Sequence, residues 1–508
     1  MLAKVISGAL IGIDGYLVDV EVDQAPGMPA FDIVGLPDSA VKESRERVRT
    51  AIKNVGIYVP PKRITVNLAP ADIRKEGPAY DLPIALGILA CMDVVSASAL
   101  GDVFVTGELS LDGDIRPTQG VLPMVYSARA AGIGACIVPR QNAEEASLVP
   151  GIKVVAPYSL RELIDWFKSG SLPLYKRDEA TETQSTIENM LDFADVKGQE
   201  SVKRALTIAA AGGHNILLIG PPGSGKTMMA RRLPGVLAPL AFDESIDVTK
   251  IYSVAGMIAD KGALVRQRPF RAPHHTISYS ALVGGGRIPK PGEVSLAHHG
   301  VLFLDELPEF NRNVLEALRQ PMEDRVVTIS RANAAITYPC SFMLVASMNP
   351  CPCGHFGDGD RCKCSEREVS RYLDKISGPL LDRIDMHIEA ARVNYKDFEE
   401  ESVGRSSQEI RREVEEAQKI QGARYAGEGF GLNAQLYGGA IDKHCRLDDQ
   451  SKALVKQIYD VMGLSARGYH KILKLARTIA DLAGAAGIDA DHISEAIQYR
   501  ALDRKYWG

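Results

Sequence analysis

The stretch ILLIGPPGSGKT, residues 216–227, decides the fold of this chain. Its first four residues are apolar and predict a buried strand, the next eight have the spacing G-x-x-x-x-G-K-T, and a helical pattern follows. Glycines let main-chain N–H groups converge on phosphate oxygens, and the N-terminus of the following helix adds a favourable dipole. We therefore predict an α/β fold in which this stretch binds ATP.

Residues 220–227, the phosphate-binding loop, each have an expected part in holding the nucleotide. Lys226 can reach the β- and γ-phosphates, and the Thr227 hydroxyl can bind Mg²⁺. Because the strand, the Lys-Thr pair and the helix occur together, a chance glycine-rich turn is the weaker interpretation. The predicted nucleotide-binding residues of the loop are Gly220, Pro221, Pro222, Gly223, Ser224, Gly225, Lys226 and Thr227.

A second apolar run, residues 301–304, ends in two acids, Asp305 and Glu306. An aspartate at this position can hold the water shell of Mg²⁺, and a glutamate can orient and polarise the attacking water. The alternative is a strand that ends in two solvated acids. We predict that Thr227 and Asp305 hold Mg²⁺ and that Glu306 is catalytic.

Two further residues are typical of the AAA+ class of ATPases. The apolar strand in FMLVASMNP, residues 342–350, ends at Asn349, and GPLLDRID, residues 378–385, places Arg383 near a helix end. The resemblance implies that Asn349 senses the γ-phosphate. It also implies that Arg383 is an arginine finger, which neutralises transition-state charge on a neighbour's nucleotide. A surface salt bridge is the alternative for Arg383.

The helical pattern from residue 405 onward contains LSARGYHKILKLARTIADL, residues 464–482, which resembles the nucleotide-contacting lid of that class. Arg467 is the predicted lid arginine that contacts nucleotide, and Arg477 is the weaker candidate. Because a finger that acts on a neighbour requires a ring, we expect a homo-oligomer and specifically a homohexamer. The predicted catalytic residues are Lys226, Glu306, Asn349 and Arg383.

The composition is that of an ordinary globular protein, with 508 residues, 45% hydrophobic, 24% charged and a net charge of −5. No apolar run is long enough to span a bilayer, and the N-terminal apolar run passes into an alternating strand pattern at 17–22. We therefore expect a cytoplasmic protein without membrane association. In that compartment clustered cysteines indicate metal binding or catalysis rather than disulfides.

The pattern along the chain predicts four segments. Residues 1–165 mix strands and helices, and 166–190 form a polar linker. Residues 191–392 alternate apolar strands with amphipathic helices, as in an α/β nucleotide-binding domain, and contain a cysteine-rich insertion at 350–365. Residues 393–508 form a helical C-terminal domain.

The segment NPCPCGHFGDGDRCKCS, residues 349–365, holds half of the chain's eight cysteines. Two C-x-C pairs joined by a short loop can place four thiolates around one Zn²⁺, and Gly354, Gly357 and Gly359 allow the tight connection. His355 is a substitute ligand. Reduced thiols without metal, and an iron–sulfur or redox role, are the alternatives. The predicted ligands of a structural zinc are Cys351, Cys353, Cys362 and Cys364.

Residues 261–292 contain six basic residues and no acidic one, with His274 and His275 in the middle. In a chain with a net charge of −5, this local excess predicts a surface that contacts nucleic-acid phosphates. The pattern at 325–334 predicts a β-hairpin with Arg331 at its turn. A solvated basic face with an ordinary hairpin is the alternative, and the histidines are given no ligand role. The basic residues are Lys261, Arg266, Arg268, Arg271, Arg287 and Lys290.

Several stretches also resemble the magnesium chelatase-like AAA+ proteins and, within that group, the ComM (YifB) family, along essentially the whole chain. They are FADVKGQESVKRALTIAAAGGHNILLIGPPGSGKT, RPFRAPHHTISYSALVGGGRIPKPGEVSLAHHGVLFLDE, MEDRVVTISRANAAITYPCSFMLVASMNPCPCG and LSARGYHKILKLARTIADLAG. The resemblance implies a hexameric ATPase that acts as a DNA helicase and promotes branch migration when incoming DNA is recombined during natural transformation. It implies ATP and Mg²⁺ as cofactors, and single-stranded and branched DNA, further copies of the chain and recombination proteins as partners.

Two other functions remain as alternatives. The first is a magnesium chelatase-type ATPase that drives metal insertion with partner subunits, against which the protease-like domain described next and the cysteine insertion argue. The second is a non-enzymatic scaffold, against which the intact nucleotide motifs argue.

The N-terminal segment resembles the proteolytic domain of Lon, in TGELSLDGDIRPTQGVLPMVYSARAAGIGACIVPRQN and LAPADIRKEGPAYDLPIALGIL. That protease has a nucleophilic serine just after Gly-Pro, whereas Gly77-Pro78 precede Ala79 here, and its catalytic lysine aligns near Met124. Without a nucleophile and an amine base, acyl transfer cannot run, so we predict a protease-inactive scaffold rather than a peptidase with rearranged residues. The implied fold is an AAA+ P-loop ATPase core with a helical lid, preceded by a Lon-protease-like α+β domain.

Overall fold

The computed structural model describes residues 2–72, 75–177, 191–258, 264–286, 289–331, 334–356, 361–392, 404–462 and 464–507. The chain forms two compact units. The first comprises residues 1–185 and 242–265, and the second comprises residues 186–241 and 266–508. Most of the predicted linker, residues 178–190, lies outside the described residues.

The first unit is built on a mixed sheet whose strands run in the order β3-β4-β2-β1-β5-β8-β9. Its longest pairing is the antiparallel hairpin of β1 and β2, in which Leu2 pairs with Asp23 and Ile11 with Asp14. The alternating pattern predicted at 17–22 is part of β2, where every second side chain is buried. The strands of this unit are β1 (Leu2–Ile11), β2 (Asp14–Ala25), β3 (Ala30–Val34), β4 (Arg63–Ala69), β5 (Val103–Val105), β6 (Glu108–Leu109), β7 (Ile115–Arg116), β8 (Ala135–Ile137) and β9 (Lys153–Val155).

Helices pack against this sheet, and the helix Asp81–Cys91 has every residue buried. The helix Ser39–Asn54 begins where the Asp38 carboxylate accepts a hydrogen bond from the Val41 N–H at 2.8 Å, an N-cap of the kind that contributes about 1 kcal/mol. The α-helices of this unit are Ser39–Asn54, Asp81–Cys91, Val121–Ala130, Ala143–Ala146, Leu160–Ser169 and Phe242–Ala255, and the 3₁₀ helices are Pro78–Tyr80, Ala97–Ala99 and Arg140–Asn142.

The helix Phe242–Ala255 belongs to the first unit although it follows the nucleotide motif in sequence. Its Ser253 hydroxyl hydrogen-bonds the buried Glu145 carboxyl group, and the Lys250 ammonium lies 4.4 Å from the ring centroid of Tyr126. Burial raises the pKa of Glu145, although the Ser253 hydrogen bond opposes the shift. The domain bounds drawn from sequence assign these residues to the ATPase core. The structure differs because local patterns show where a helix forms and not which sheet it packs on.

The second unit contains a parallel sheet whose strands run in the order β11-β14-β17-β10-β18. The strand β10 lies between β17 and β18, with Ile219 opposite both Met348 and Glu389. In such sheets ligands bind at the carboxyl ends of the strands, where the strand order reverses. The strands of this unit are β10 (Ile216–Ile219), β11 (Phe270–Arg271), β12 (Gly284–Gly285), β13 (Lys290–Pro291), β14 (Val301–Leu304), β15 (Val326–Arg331), β16 (Ala334–Pro339), β17 (Met343–Met348) and β18 (Met386–Glu389).

The predicted hairpin is confirmed as β15 and β16, which pair from Val326 with Pro339 to Arg331 with Ala334. The two turn residues, 332–333, lie outside the described residues.

The helical C-terminal region shares one hydrophobic core with the parallel sheet, which includes Leu218, Val414 and Leu475. Its first helix starts with a capping box between Ser406 and Glu409. The α-helices of the second unit are Glu200–Gly212, Lys226–Ala230, Leu233–Val236, Tyr279–Val283, Glu293–Leu296, Arg312–Glu316, Arg319–Asp324, Glu366–Leu373, Gly378–Leu381, Ser407–Arg424, Gly439–His444, Asp449–Met462, Ala466–Leu482, Ala490–Gln498 and Ala501–Trp507, and the 3₁₀ helices are Phe193–Asp195, Leu307–Glu309 and Asn433–Gln435.

Among the residues the structure describes, none of these helices combines the length and the apolar character that crossing a membrane requires.

Candidate functional site

The phosphate-binding loop leaves the carboxyl end of β10 and runs into the helix Lys226–Ala230. Gly223 and Gly225 have φ angles of +77° and +82°, which glycine adopts without strain. A Cβ added to Gly220 would lie 2.3 Å from the carbonyl oxygen of Ala390. The backbone path therefore requires glycine at these three positions of the motif.

The Lys226 side chain lies inside the loop and is 8% exposed. Its ammonium donates hydrogen bonds to the carbonyl oxygens of Gly220 at 2.7 Å and Pro221 at 2.9 Å. Burial lowers the pKa of Lys226 to about 8, whereas the carboxylates of Asp305 and Glu306 act to raise it. A phosphate group is an anion with which such a partly desolvated ammonium can pair.

Asn349 lies beside this lysine because β17 is the neighbour of β10 in the sheet. The Gly220 N–H donates to the carbonyl oxygen of Met348 at 3.2 Å, which carries the pairing to the last residue of β17. The Asn349 amide oxygen then lies 3.3 Å from the Lys226 ammonium. The structure therefore brings Asn349 and Lys226, two of the predicted site residues, into contact.

Thr227 and Asp305 form the candidate Mg²⁺ site. The Thr227 hydroxyl donates to the Asp305 carboxylate at 2.6 Å, so the helix after β10 meets the end of β14. Hydroxyl and carboxylate oxygens are the ligands that Mg²⁺ prefers, together with water and phosphate oxygens. The residues present therefore fit the ion.

Ser347 is a site residue that sequence reasoning missed. Its hydroxyl hydrogen-bonds the Asp305 carboxylate, and the Glu306 N–H donates to the same oxygen at 3.1 Å. Ser347 is fully buried on β17. A serine inside an apolar strand carries no sequence signal, and only the pairing of β17 with β14 brings it to Asp305.

Glu306 is held in an unusual backbone conformation, with φ at +54°, of the kind that costs about 1–3 kcal/mol for a residue with a side chain. Its side chain is 58% exposed and faces the space beyond the strand ends. The His275 Nδ1 lies 3.6 Å from the Glu306 carboxylate. The sequence pattern predicts no ligand role for His275, and this contact is visible only in the tertiary structure.

Arg383 is turned toward Glu323 on the helix Arg319–Asp324. Its guanidinium lies 2.5 Å from the Glu323 carboxylate and donates to the carbonyl oxygen of Pro379 at 2.6 Å, and the side chain is 10% exposed. Arg467 reaches the same Glu323 oxygen at 3.7 Å and is 61% exposed. Glu323, which sequence reasoning also missed, thus brings the predicted finger and the predicted lid arginine together.

Lys471, a further missed residue, anchors the loop that carries Arg383. Its ammonium donates to the carbonyl oxygens of Asp382 and of Ile384, the latter at 2.9 Å. Burial lowers the pKa of Lys471 to about 8, while Asp385 acts to raise it. The helix Ala466–Leu482 therefore supplies both Arg467 and the support of the finger loop.

The weaker lid candidate, Arg477, is placed differently. It is 3% exposed at its side chain, donates to the Asp481 carboxylate at 3.1 Å and donates to the carbonyl oxygen of Ala485 at 2.7 Å. These contacts hold it inside the helical region and away from the predicted site.

The four predicted zinc ligands come together in space. The sulfur of Cys351 lies 3.4 Å from that of Cys353 and 3.9 Å from that of Cys362, and the latter two are 3.8 Å apart. All four sulfur atoms, including that of Cys364, lie within 4.8 Å of one another. A tetrahedral zinc with Zn–S bonds of about 2.3 Å sets sulfur–sulfur distances of about 3.8 Å. The geometry therefore fits one four-coordinate ion, without His355.

Main-chain groups favour the thiolate form of one of the four cysteines, whereas desolvation and the neighbouring thiols raise the pKa of Cys362 and Cys364. Hydrogen bonds from the N–H groups of His355 and Lys363 lower the pKa of Cys353 to about 6. A thiolate is the form of cysteine that binds metal. Gly357 and Gly359, which the sequence assigned to the connecting loop, lie outside the described residues.

The basic segment is only partly available for a ligand. The Arg271 guanidinium forms a bidentate pair with the Glu293 carboxylate at 2.6 and 2.7 Å. Arg268 donates to the carbonyl oxygens of His299 at 2.8 Å and Pro239 at 3.3 Å. These two arginines hold the fold together, which neither a phosphate-contacting surface nor a solvated basic face predicts. Arg266 and Lys290 are exposed, whereas Lys261 and Arg287 lie outside the described residues.

In the first unit, the Gly-Pro-Ala stretch forms a 3₁₀ turn at Pro78–Tyr80, entered through Gly77 at φ +84°. The Ala79 carbonyl oxygen accepts a hydrogen bond from the Gly107 N–H at 3.0 Å. Met124 is buried in the helix Val121–Ala130. Ala79 and Met124 thus take part in packing and carry no group for acyl transfer.

Three protein-family models match this chain. The model described as magnesium chelatase, subunit ChlI, matches residues 192–398, and the model of its C-terminal part matches 404–500. A third, described as subunit ChlI of Mg-chelatase, matches residues 20–142.

Curated proteins match over nearly the full chain. The competence protein ComM of Haemophilus influenzae is 45% identical over 507 residues, which are 99% of this chain and 98% of that protein. The YifB protein of Escherichia coli is 42% identical over 504 residues, with 99% and 98% covered. Lon protease 2 of Bacillus subtilis is 30% identical over 175 residues, which are 31% of this chain and 30% of that protein.

Proposed function

This chain belongs to the magnesium chelatase-like family that includes ComM and YifB, and from that premise we propose that it is an ATP-driven motor that moves DNA through a ring of identical subunits. The ring is a homohexamer with an AAA+ core and a helical lid. Its biological task is branch migration when incoming DNA is recombined during natural transformation, in the cytoplasm. The partners are single-stranded and branched DNA, further copies of the chain, and recombination proteins.

One observation carries the ATPase part of this proposal. At the carboxyl end of the parallel sheet, the ammonium of Lys226, the Thr227–Asp305 pair, the exposed carboxylate of Glu306 and the amide of Asn349 lie around one loop with the backbone of a phosphate cradle. These groups match the parts that phosphoryl transfer requires, namely charge neutralisation, a metal site and a base for water.

Each residue of this site has a separate role in ATP hydrolysis. Lys226 leaves the carbonyl oxygens of its own loop and pairs with the β- and γ-phosphates. Thr227 and Asp305 would hold Mg²⁺, which would supply neutralisation of the charge that develops on the phosphates. Glu306 accepts the hydrogen bond of the attacking water and orients it. Asn349 contacts the γ-phosphate, so loss of that phosphate changes a contact at the end of β17.

Arginines complete the site from the neighbouring subunit. We expect Arg383 to reach the γ-phosphate held by the next subunit, as an arginine finger, and Arg467 to contact nucleotide from the lid. The side chain of Arg467 is 61% exposed and approaches the Glu323 oxygen that pairs with Arg383. The Arg383 side chain is 10% exposed, so it leaves Glu323 when it reaches a neighbour's nucleotide. A site that lacks the Arg383 cation until subunits meet hydrolyses ATP only in an assembly.

DNA contact is assigned to Arg266 and Lys290, which are exposed in the described part of the basic segment, together with the hairpin of β15 and β16. His275 connects the basic segment to Glu306 and provides a route from DNA to the catalytic water. Phosphate contacts of this kind make binding fall steeply with salt.

The four cysteines are proposed to hold a structural Zn²⁺. Their mutual distances of 3.4–3.9 Å exceed the S–S bond of a disulfide, which is about 2.05 Å. Thiols that ligate the separate iron atoms of a cluster would lie farther apart than thiols that share one ion. Zinc is therefore favoured over the disulfide and iron–sulfur forms. The first unit is proposed to be a protease-inactive scaffold.

The alternative is a metal-insertion ATPase, which the magnesium chelatase descriptions of the matching family models favour. In that case the same ATP site drives partner subunits instead of DNA. The two functions differ in whether DNA changes the ATPase rate.

The test is a branch-migration assay on a synthetic four-way junction, run with wild-type protein, Lys226→Ala and, as a matched control, Lys452→Ala. Lys452 is an exposed lysine paired with Asp449 at 3.1 Å, far from the motif in sequence. We expect the wild type and Lys452→Ala to drive branch migration of the junction and Lys226→Ala to lose this activity. ATP turnover should rise with single-stranded or forked DNA, and the rise should fall steeply with salt. If adding DNA at low salt leaves the ATP turnover rate unchanged, the motor function is contradicted and metal insertion is supported.

A further inference from the structure

The four-cysteine site lies directly against the phosphate-binding loop. The Gly354 N–H donates to the carbonyl oxygen of Cys351 at 3.0 Å and closes a turn around the first C-x-C pair. Gly354 has a φ of +83° and is buried, and a Cβ added to it would lie 2.5 Å from Cδ of Pro222. Pro222 is the third residue of the phosphate-binding loop, so the cysteine turn and the loop are in van der Waals contact.

A second connection runs through the residue that contacts the loop lysine. Cys351 is fully buried and follows Asn349 by two positions, and the Asn349 amide oxygen lies 3.3 Å from the Lys226 ammonium. The Asn349 main-chain N–H also donates to the hydroxyl of Tyr372, which lies on the helix that follows Cys364. The segment that bears the cysteines therefore joins the strand end at Asn349 to the next helix.

A third contact fixes the segment on its other side. The ring of Phe356 lies 6.3 Å from that of Tyr506, on the helix Ala501–Trp507. The turn at Cys351–Gly354 is thus held between the C-terminal helix and the phosphate-binding loop. Across the connecting loop, the two C-x-C pairs meet at their sulfur atoms and through the hydrogen bond from the Lys363 N–H to the Cys353 sulfur.

We propose that a metal ion bound by Cys351, Cys353, Cys362 and Cys364 positions the phosphate-binding loop through Gly354 and Pro222, so that metal occupancy controls nucleotide affinity. The inference rests on the proposed function, because it takes the loop to be the ATP site. Zn–S bonds link the two pairs, so loss of the ion removes this link and releases the turn from Pro222. The loop then loses the packing that holds its backbone N–H groups toward phosphate.

The first experiment removes and restores the ion in the full-length protein. Zinc is measured in the purified wild type, stripped with a chelator that prefers zinc over magnesium, and added back, and the Kd for a fluorescent N-methylanthraniloyl ATP is measured at each stage. We expect one zinc per chain, a Kd that weakens by about tenfold or more on stripping, and recovery on adding zinc. Recovery separates positioning of the loop from irreversible unfolding.

The second experiment uses a pair of glycines with the same backbone strain. Gly354→Ala and Gly427→Ala both place a side chain at positive φ, +83° and +81°, but the space around Gly427 is open whereas Gly354 abuts Pro222. Both variants keep all four cysteines. We expect Gly354→Ala to retain zinc and weaken nucleotide binding by about tenfold, and Gly427→Ala to bind as the wild type does.

The outcomes separate this inference from the proposed function. If the wild type contains no zinc and takes up none, or if stripped and loaded protein bind the nucleotide equally well, metal control is overturned while the ATPase stands. Equal nucleotide binding by Gly354→Ala and Gly427→Ala overturns the Gly354–Pro222 route. If zinc-loaded wild type fails to bind the nucleotide at all, the proposed function itself fails.

Discussion

The Arg383 guanidinium lies 2.5 Å from the Glu323 carboxylate of its own subunit, and Arg467 approaches the same oxygen at 3.7 Å. A carboxylate between two arginines neutralises their repulsion and fixes where both cations stand. The main chain around Arg383 is held by Lys471, and its carbonyl oxygen accepts from the Asn215 side chain at 3.1 Å. These contacts therefore fix the main chain at Arg383 and hold its guanidinium against Glu323.

The first prediction is that Arg383 acts on a neighbouring subunit. Arg383→Ala and Glu306→Gln should each be inactive alone, and Glu306→Gln should retain bound ATP. Mixed together, they form some interfaces that join an intact Glu306 to an intact Arg383, so part of the ATPase rate should return. The measurement is ATP turnover as a function of mixing ratio. Mixed oligomers that stay inactive at every ratio would rule out action between subunits.

The second prediction concerns the contact between His275 and Glu306. If His275 carries the effect of DNA to the catalytic water, His275→Ala should keep its DNA-free ATPase rate within about twofold and lose most of the stimulation by DNA. His274→Ala is the matched control, because His274 is an exposed neighbour whose ring hydrogen-bonds Thr276 instead. The measurement is ATP turnover against single-stranded DNA concentration. Equal stimulation of the two variants would remove His275 from the coupling route.

The third prediction tests the metal pair. Asp305→Asn removes the charge beside Thr227, so the Mg²⁺ concentration for half-maximal ATPase should rise by about tenfold or more. Ser347→Ala removes only the hydroxyl that hydrogen-bonds Asp305 and should cause a smaller rise. Both follow from a Mg²⁺ titration of ATP turnover. An unchanged Mg²⁺ requirement in Asp305→Asn would place the ion elsewhere.

The fourth prediction follows from the pKa of Lys226, which burial lowers to about 8. Phosphate favours the charged ammonium, so nucleotide binding should take up protons at pH values above about 8 and weaken as pH rises further. At pH 7 the ammonium is already mostly charged and uptake should be small. Calorimetry in buffers of different ionisation enthalpy measures the uptake, which should approach one proton per site near pH 9. Lys226→Arg, which stays charged, should show none at either pH.

The fifth prediction concerns the stability of the helical region. Asp481 is 0% exposed at its side chain and binds Arg424, Arg477 and the amide of Asn433, the last at 2.9 Å. Asp481→Asn leaves two buried guanidinium groups short of charge and should lower the free energy of unfolding by about 3–5 kcal/mol. Asp449→Asn, in an exposed pair with Lys452, should change it by less than about 1 kcal/mol. Urea unfolding is followed by tryptophan fluorescence in a Trp166→Phe background, so that Trp507 alone reports the second unit.

The nucleotide motifs could be placed from sequence because each lies where a strand ends, and strand ends in a parallel sheet meet at one edge. The positions of Asp305 and Asn349 at the ends of apolar strands predict that both lie at this edge. The spacing of the cysteines predicts their cluster, because a short loop between two C-x-C pairs keeps the pairs close together.

Domain membership was beyond the reach of local patterns. The helix Phe242–Ala255 has the composition of its surroundings in sequence, yet Ser253 and Lys250 make their contacts in the first unit. A helix shows its apolar face in its own sequence, but the partner of that face is set by burial against residues far away along the chain.

The sequence by itself determined the chemistry of this protein: the phosphate-binding loop, the acids at 305–306 and the four thiols are local arrangements whose spacing is enough to define them. Only the tertiary structure decided which residues support that chemistry. Ser347, Glu323 and Lys471 are ordinary residues in ordinary elements, and they matter because the fold sets their polar atoms against Asp305, Arg383 and the finger loop. The physical reason is that a hydrogen bond or ion pair depends on distances of a few ångströms, which neighbouring strands and helices fix and which sequence separation does not reveal.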